Sequence, residues 1–136
     1  MPCNENSQPR MKLPYTKAMF NEIVLDHFRN PRNTGTLAAP TATIEVTNPV
    51  CGDVLQLSAR VENGRIIEAC FKTQGCVVAI ASSSVLTELL KGRSPTEARE
   101  ITPEKISEAL GGLPPATFHA AQLCGDAITA LFSKLS

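Results

Sequence analysis

The chain has 136 residues, 43% of them hydrophobic, and 13 Lys and Arg balance 13 Asp and Glu for a formal net charge of zero. That length buries one sizeable core, and basic residues this scattered exclude both a nucleic-acid footprint and a polybasic membrane patch. The longest apolar run, Cys76 to Ala81, is too short to span a bilayer, and the opening residues carry no signal-peptide core, so the expected location is cytoplasmic.

Five cysteines are an odd number in a chain with its own core, which favours reduced thiols over a disulfide framework. Residues 1–14, with Pro2, Pro9 and Pro14 among polar side chains, read as a flexible arm on which Cys3 is incidental. Residues 15–136 read as one domain. From Tyr15 to Asn30, Met19, Ile23, Leu25 and Phe28 recur at helical spacing until Pro31 stops the helix.

A turn-rich stretch over 30–35 and a loop to Pro40 lead to a short strand, Thr43 to Thr47. Leu55, Leu57, Ala59 and Val61 then alternate with Gln56, Ser58, Arg60 and Glu62, the pattern of a strand with one wet face. Asn63-Gly64 predicts a type I′ hairpin turn. The returning strand, Arg65 to Thr73, places Ile67, Ala69 and Phe71 on the apolar face and Cys70 on the exposed one.

Cys76 to Leu90 is helical, with Val78, Ala81, Val85 and Leu89 in a stripe, Ser82-Ser83-Ser84 on a small surface and Gly92 as the stop. Ser94-Pro95 and Thr102-Pro103 open two short helices, over Pro95 to Glu100 and Pro103 to Leu110. Ala116, Ala120, Leu123, Cys124, Ala127, Ile128, Leu131 and Leu135 make a 3.6-period stripe for a long last helix. The order of elements predicts an α+β domain, a three-stranded antiparallel sheet packed on one face by several helices.

Cys51-Gly52-Asp53, Gly75-Cys76 and His119 come from three separated segments. Thiolate, carboxylate and imidazole are donors for zinc or iron, and donors so spread make a site only in the folded chain. Gly52 supports a tight turn aiming Cys51 and Asp53 at one ion; a small buried residue, a turn glycine and a turn-capping aspartate satisfy the tripeptide equally. Asp53 shares the parity of Leu55 and Leu57, so its carboxylate faces the apolar side and needs a partner.

Cys76 sits where a helix begins, and the unpaired N–H groups and dipole there lower a thiol pKa; the alternative is a small residue entering a core helix. His119 lies at the margin of the last helix's stripe, as a ligand or as a boundary histidine.

Taken together, Asp26-His27-Phe28-Arg29-Asn30-Pro31-Arg32-Asn33-Thr34-Gly35, Cys51-Gly52-Asp53-Val54, Phe71-Lys72-Thr73-Gln74-Gly75-Cys76, Ala79-Ile80-Ala81-Ser82-Ser83-Ser84 and Leu113-Pro114-Pro115 resemble the U-type iron-sulfur scaffold family, IscU and the N-terminal domain of NifU. The resemblance implies a scaffold, not an enzyme, on which iron and sulfur from a cysteine desulfurase form a labile [2Fe-2S] cluster that passes to acceptor proteins. It assigns Cys51, Cys76 and His119 to the ligand positions and Asp53 to the carboxylate that makes the site labile. Zinc or iron alone can occupy the same residues.

Two positions depart from the family pattern. Ala120 stands where a persulfide-accepting cysteine usually follows the histidine, and Pro114-Pro115-Ala116-Thr117 lacks the lysine of the chaperone-recognition segment, which counts against an Hsp70-type partner. Cys124 shares a helical face with position 120 and is a candidate replacement ligand or acceptor, although it lies mid-stripe, where a thiol packs as a small hydrophobe. Two further readings accommodate these departures. One is a zinc-dependent persulfide acceptor like the SufU branch; the other is a zinc-stabilised interaction module that has lost cluster assembly.

Overall fold

The computed structural model of the chain describes residues 21–49 and 52–135. The expectations for the arm over 1–14, for Cys3, for helix upstream of residue 21 and for Cys51 lie outside the described residues. Among the described residues the first helix, α1, runs Glu22–Arg29; Asn21 at its N-cap is extended and its side chain accepts a hydrogen bond from the Val24 N–H at 2.9 Å. Leu25 and Phe28 turn inward as expected, whereas Ile23 stays exposed.

The strands β1 (Ala42–Thr47), β2 (Val54–Glu62) and β3 (Arg65–Gln74) form one antiparallel sheet in the order β1-β2-β3. The register pairs Ile44 with Leu57 and Leu57 with Phe71, so alternate residues of all three strands share the buried face. Asn63 and Gly64 close the hairpin at φ 53° and 76°, the left-handed pair that a type I′ turn requires.

One expectation for β3 fails at a bulge. Arg60 pairs with Glu68 but Val61 pairs with Ile66, leaving Ile67 as an extra residue. The slip turns Ile66 into the core and leaves Ile67 exposed, the reverse of what strict alternation gives. Cys70 is likewise not on a wet face: it is fully buried against Leu37. The chain after α1 runs back along β3, bonding through Asn33 O and Gly35 N to the backbone of Phe71, and so closes over that side. Cys70 is also disulfide-bonded, so the cysteines are not all reduced thiols.

Helix α2 (Val77–Leu90) has no small wet surface; among its residues only Glu88 and Leu89 escape burial. It lies between β3, α1 and the last helix; Ser83, Ser84 and Thr87 are hydrogen-bonded within the protein, whereas the Ser82 hydroxyl is buried without such a bond. Ser83 donates to Ala79 O at 2.8 Å and accepts from Thr73 Oγ1 at 2.8 Å. Ser84 accepts from the Arg32 N–H at 2.9 Å and lies 2.8 Å from His27 Nδ1.

The short α3 (Pro95–Ala98) and α4 (Pro103–Ala109) start as expected, with Ser94 and Thr102 accepting from Glu97 N and Lys105 N. A single 3-10 turn, Pro115–Thr117, leads into α5 (His119–Leu135), which packs its predicted stripe from Ala120 onward on β1, β2 and α2, whereas Ala116, expected in that stripe, lies exposed in the turn before the helix. Among the described residues no helix is long and apolar enough to cross a membrane.

Candidate metal centre

The β1–β2 connection is tied shut at its base. Gly52 N–H donates to Asn48 O at 2.8 Å, and Asn48 N–H donates to Asp53 O at 2.8 Å. Gly52 has φ +78°, a conformation strained for a side chain bearing a Cβ, so the turn requires glycine there. The turn delivers Asp53 to the end of β2, where Val54 pairs with Gln74, the last residue of β3.

Immediately beyond Gln74, Cys76 occupies the N-cap of α2 in an extended conformation, φ −75° and ψ 172°, and its side chain makes no capping bond. The sulfur still lies close enough to the Ala79 and Val78 N–H groups to feel them. The Cys76 S–H donates to Asp53 Oδ2 at 3.6 Å, which supplies the buried Asp53 carboxylate with the partner it needs. The residue is partly open to solvent, which leaves the sulfur accessible.

Its pKa moves opposite to the sequence expectation. Loss of hydration around the sulfur raises it, with the Asp53 charge and hydrogen bond adding to the rise, and the N–H groups of Ala79 and Val78 only partly oppose them. The helix N-terminus acts in the expected direction but is outweighed. A cation placed between the sulfur and the carboxylate reverses that balance, because it favours thiolate and carboxylate together.

His119, the first residue of α5, completes the cluster. One donor atom each from Asp53, Cys76 and His119 lies within 4.8 Å of the others, close enough that small side-chain movements would bring them around one ion. The end of a hairpin, the start of α2 and the start of α5 thus converge, three segments far apart in sequence. The candidate Cys51 lies outside the described residues and adjoins Gly52 in sequence.

Cys124 does not join this group. It is buried in the seam between α5 and α2, hydrogen-bonded to Ser83, and burial pushes its thiol up to about 12 despite that bond. Ala120, after His119, is fully buried as well. Gly75, read in the sequence only as the residue before Cys76, lies against Asp53 with no room for a side chain. A Cβ built on it would lie 2.6 Å from Asp53 Cγ.

With this geometry in hand, comparison with known proteins is specific. The family described as NifU-like N terminal domain matches residues 19–135. The iron-sulfur cluster assembly scaffold protein IscU 1 of Archaeoglobus fulgidus is 44% identical over 110 residues, covering 81% of this chain and 72% of the relative. IscU of Buchnera aphidicola from Schizaphis graminum is 46% identical over 118 residues, covering 84% and 91%. Among solved structures, the SUF-system scaffold protein of Fervidobacterium islandicum superposes with a TM-score of 0.59 at 19% identity, over 89% of this chain and 91% of that one, a likeness of fold.

Proposed function

The chain belongs to the NifU-like N terminal domain family, and from that premise we propose that it carries a labile [2Fe-2S] cluster as cargo on Cys51, Asp53, Cys76 and His119. Its function is that of an iron-sulfur cluster assembly scaffold. The observation that carries the assignment of residues is the approach of the Asp53, Cys76 and His119 donor atoms to within 4.8 Å of one another.

The donor set explains why a cluster could leave again. Iron-sulfur clusters are held firmly by thiolates, whereas a carboxylate oxygen and an imidazole are poorer partners for iron in a sulfide-bridged core. Asp53 therefore tunes release. Zinc fits the same four residues as a tetrahedral set, so metal content depends on what is supplied.

On this reading sulfur comes from a cysteine desulfurase, finished clusters pass to acceptor proteins, and the chain acts as a carrier rather than a catalyst. Lacking a thiol at position 120, it has to receive sulfur at Cys51 or Cys76 or directly as sulfide. Anaerobic reconstitution with ferrous iron and sulfide, read by visible absorption, tests the proposal. The expected result is a set of sulfide-to-iron bands that Cys51→Ser and Cys76→Ser each abolish. Bands no stronger than in those variants would overturn it.

A further inference from the structure

We propose that Gly75 is a positioning residue whose missing side chain forms the seat of the Asp53 carboxylate, and so fixes the hard ligand beside Cys76. The inference rests on the metal-site reading above, but the steric part stands without it. The three heavy atoms nearest a Cβ built on Gly75 all belong to Asp53: Cγ at 2.6 Å, Oδ1 at 2.7 Å and Cβ at 3.0 Å. Real Cβ atoms do not approach that closely, so any other residue at position 75 displaces the carboxylate.

Conformation does not demand the glycine. Unlike Gly52, Gly64 and Gly92, Gly75 does not have a positive φ, so a left-handed backbone is not what requires glycine here. The constraint is contact with one side chain, and that side chain is a proposed ligand. Gly52 shows the opposite case: at φ +78° a Cβ there would meet nothing within 4 Å, so this glycine serves the turn rather than a neighbour.

The consequence for the site is direct. Asp53 is only 7% exposed, wedged over the Gly75 α-carbon with Oδ2 3.6 Å from Cys76 Sγ. A methyl group at position 75 takes that space, and the carboxylate swings away from the sulfur. The site then keeps its thiol and imidazole but loses its fixed oxygen donor, as it does when Asp53 is truncated. Ligand precision of this kind is set by the supporting residues as much as by the ligands themselves.

A double-mutant cycle separates the two parts of the idea. Thermal unfolding of the metal-free wild type, Gly75→Ala, Asp53→Ala and the double variant reads the seat alone. In the wild-type background Gly75→Ala should lower the midpoint by about 5 °C or more. In the Asp53→Ala background, where the 2.6 Å and 2.7 Å contacts are gone and only the 3.0 Å one is left, the drop should shrink to less than half. Equal drops in both backgrounds overturn the proposal.

Cobalt(II) substitution reads the ligand. The visible d–d bands of cobalt-loaded Gly75→Ala should coincide with those of Asp53→Ala and differ from wild type, whereas wild-type bands in Gly75→Ala overturn the positioning role. If the wild-type protein takes up no cobalt, the metal-site reading fails, and the unfolding cycle still decides whether Gly75 seats Asp53.

Discussion

Cys76 and Cys124 are the two free thiols among the described residues, and they lie at opposite extremes of environment. Cys76 sits at the exposed start of α2 with a carboxylate and an imidazole facing it. Cys124 sits in the seam between α2 and α5, 1% exposed, with a serine hydroxyl as its hydrogen-bond partner. Both pKa values are raised, both chiefly by loss of hydration, yet only one sulfur has neighbours that a cation could recruit. Burial alone makes a thiol inert; burial beside other donors, with one side open, makes it a ligand.

The largest effect expected from this contrast is kinetic. Iodoacetamide should alkylate Cys76 in the folded metal-free protein, whereas Cys124 waits for global opening. For a domain of ordinary stability, about 5 kcal/mol or more, the open fraction is below about 10⁻³, so even with the raised Cys76 pKa slowing its own reaction the two rates should differ by about a hundredfold or more. Peptide mass mapping over time checks this. Comparable rates would break the contrast by showing that the α2–α5 seam is loose.

Substitution sharpens the same comparison. Cys76→Ser should lower cobalt or zinc affinity by about tenfold or more, in the range of losing a metal ligand's contribution, and leave the unfolding midpoint of the metal-free protein nearly unchanged. Cys124→Ala should do the reverse, keeping metal affinity and costing about 1–2 kcal/mol through lost packing in a filled core. Metal titration and urea unfolding on both variants decide the matter. Loss of metal binding in Cys124→Ala would return Cys124 to the ligand set.

An effect of comparable size tests what surrounds the buried sulfur. Ser83 joins Thr73 Oγ1 and Ala79 O, each at 2.8 Å, and also bonds Cys124. Ser83→Ala removes the buried hydrogen bonds of this hydroxyl, and urea unfolding should register a loss of about 1–3 kcal/mol. Cys76 alkylation should be unaffected.

How much of this is legible in the sequence follows the kind of force involved. Period and turn chemistry reveal the order of elements, the Asn63-Gly64 hairpin and the Ser94 and Thr102 caps, because each depends on neighbours a few residues away. Residue chemistry anticipates the convergence of Asp53, Cys76 and His119, though their distances are set by packing. Strict alternation misplaces Ile67 because a bulge shifts parity without leaving a trace in composition. Ser82-Ser83-Ser84 and Cys70 look polar or exposed by pattern and are buried because helix α2 and the chain after α1 are covered by distant segments. Gly75 is legible only as the residue before Cys76; its contact with Asp53 is the absence of an atom, meaningful only once Asp53 is in place.

The smallest expected effect lies on the other flank of α2 and extends the comparison from thiols to an imidazole. His27 is buried on α1, with Nδ1 2.8 Å from Ser84 Oγ and Nε2 3.7 Å from Glu88 Oε1. Its pKa is lowered, first by loss of hydration and then by the Arg32 charge, while Glu88 and Asp26 pull weakly the other way. A histidine depressed in the folded state binds its proton more readily once unfolded. Stability from this group is therefore complete above the ordinary pKa of 6.5 and is lost as pH falls below it toward the folded value. The slope from one such group cannot exceed about 1.4 kcal/mol per pH unit. Urea unfolding of the metal-free protein at about pH 7.5 and about pH 5.5, either side of that ordinary value, should show the loss. His27→Gln, which keeps a polar group near Ser84 without titrating, should flatten the difference. An unchanged difference in His27→Gln would assign the acid sensitivity to other groups and leave Cys76 and Cys124 as the only described pair in which burial and neighbours can be told apart.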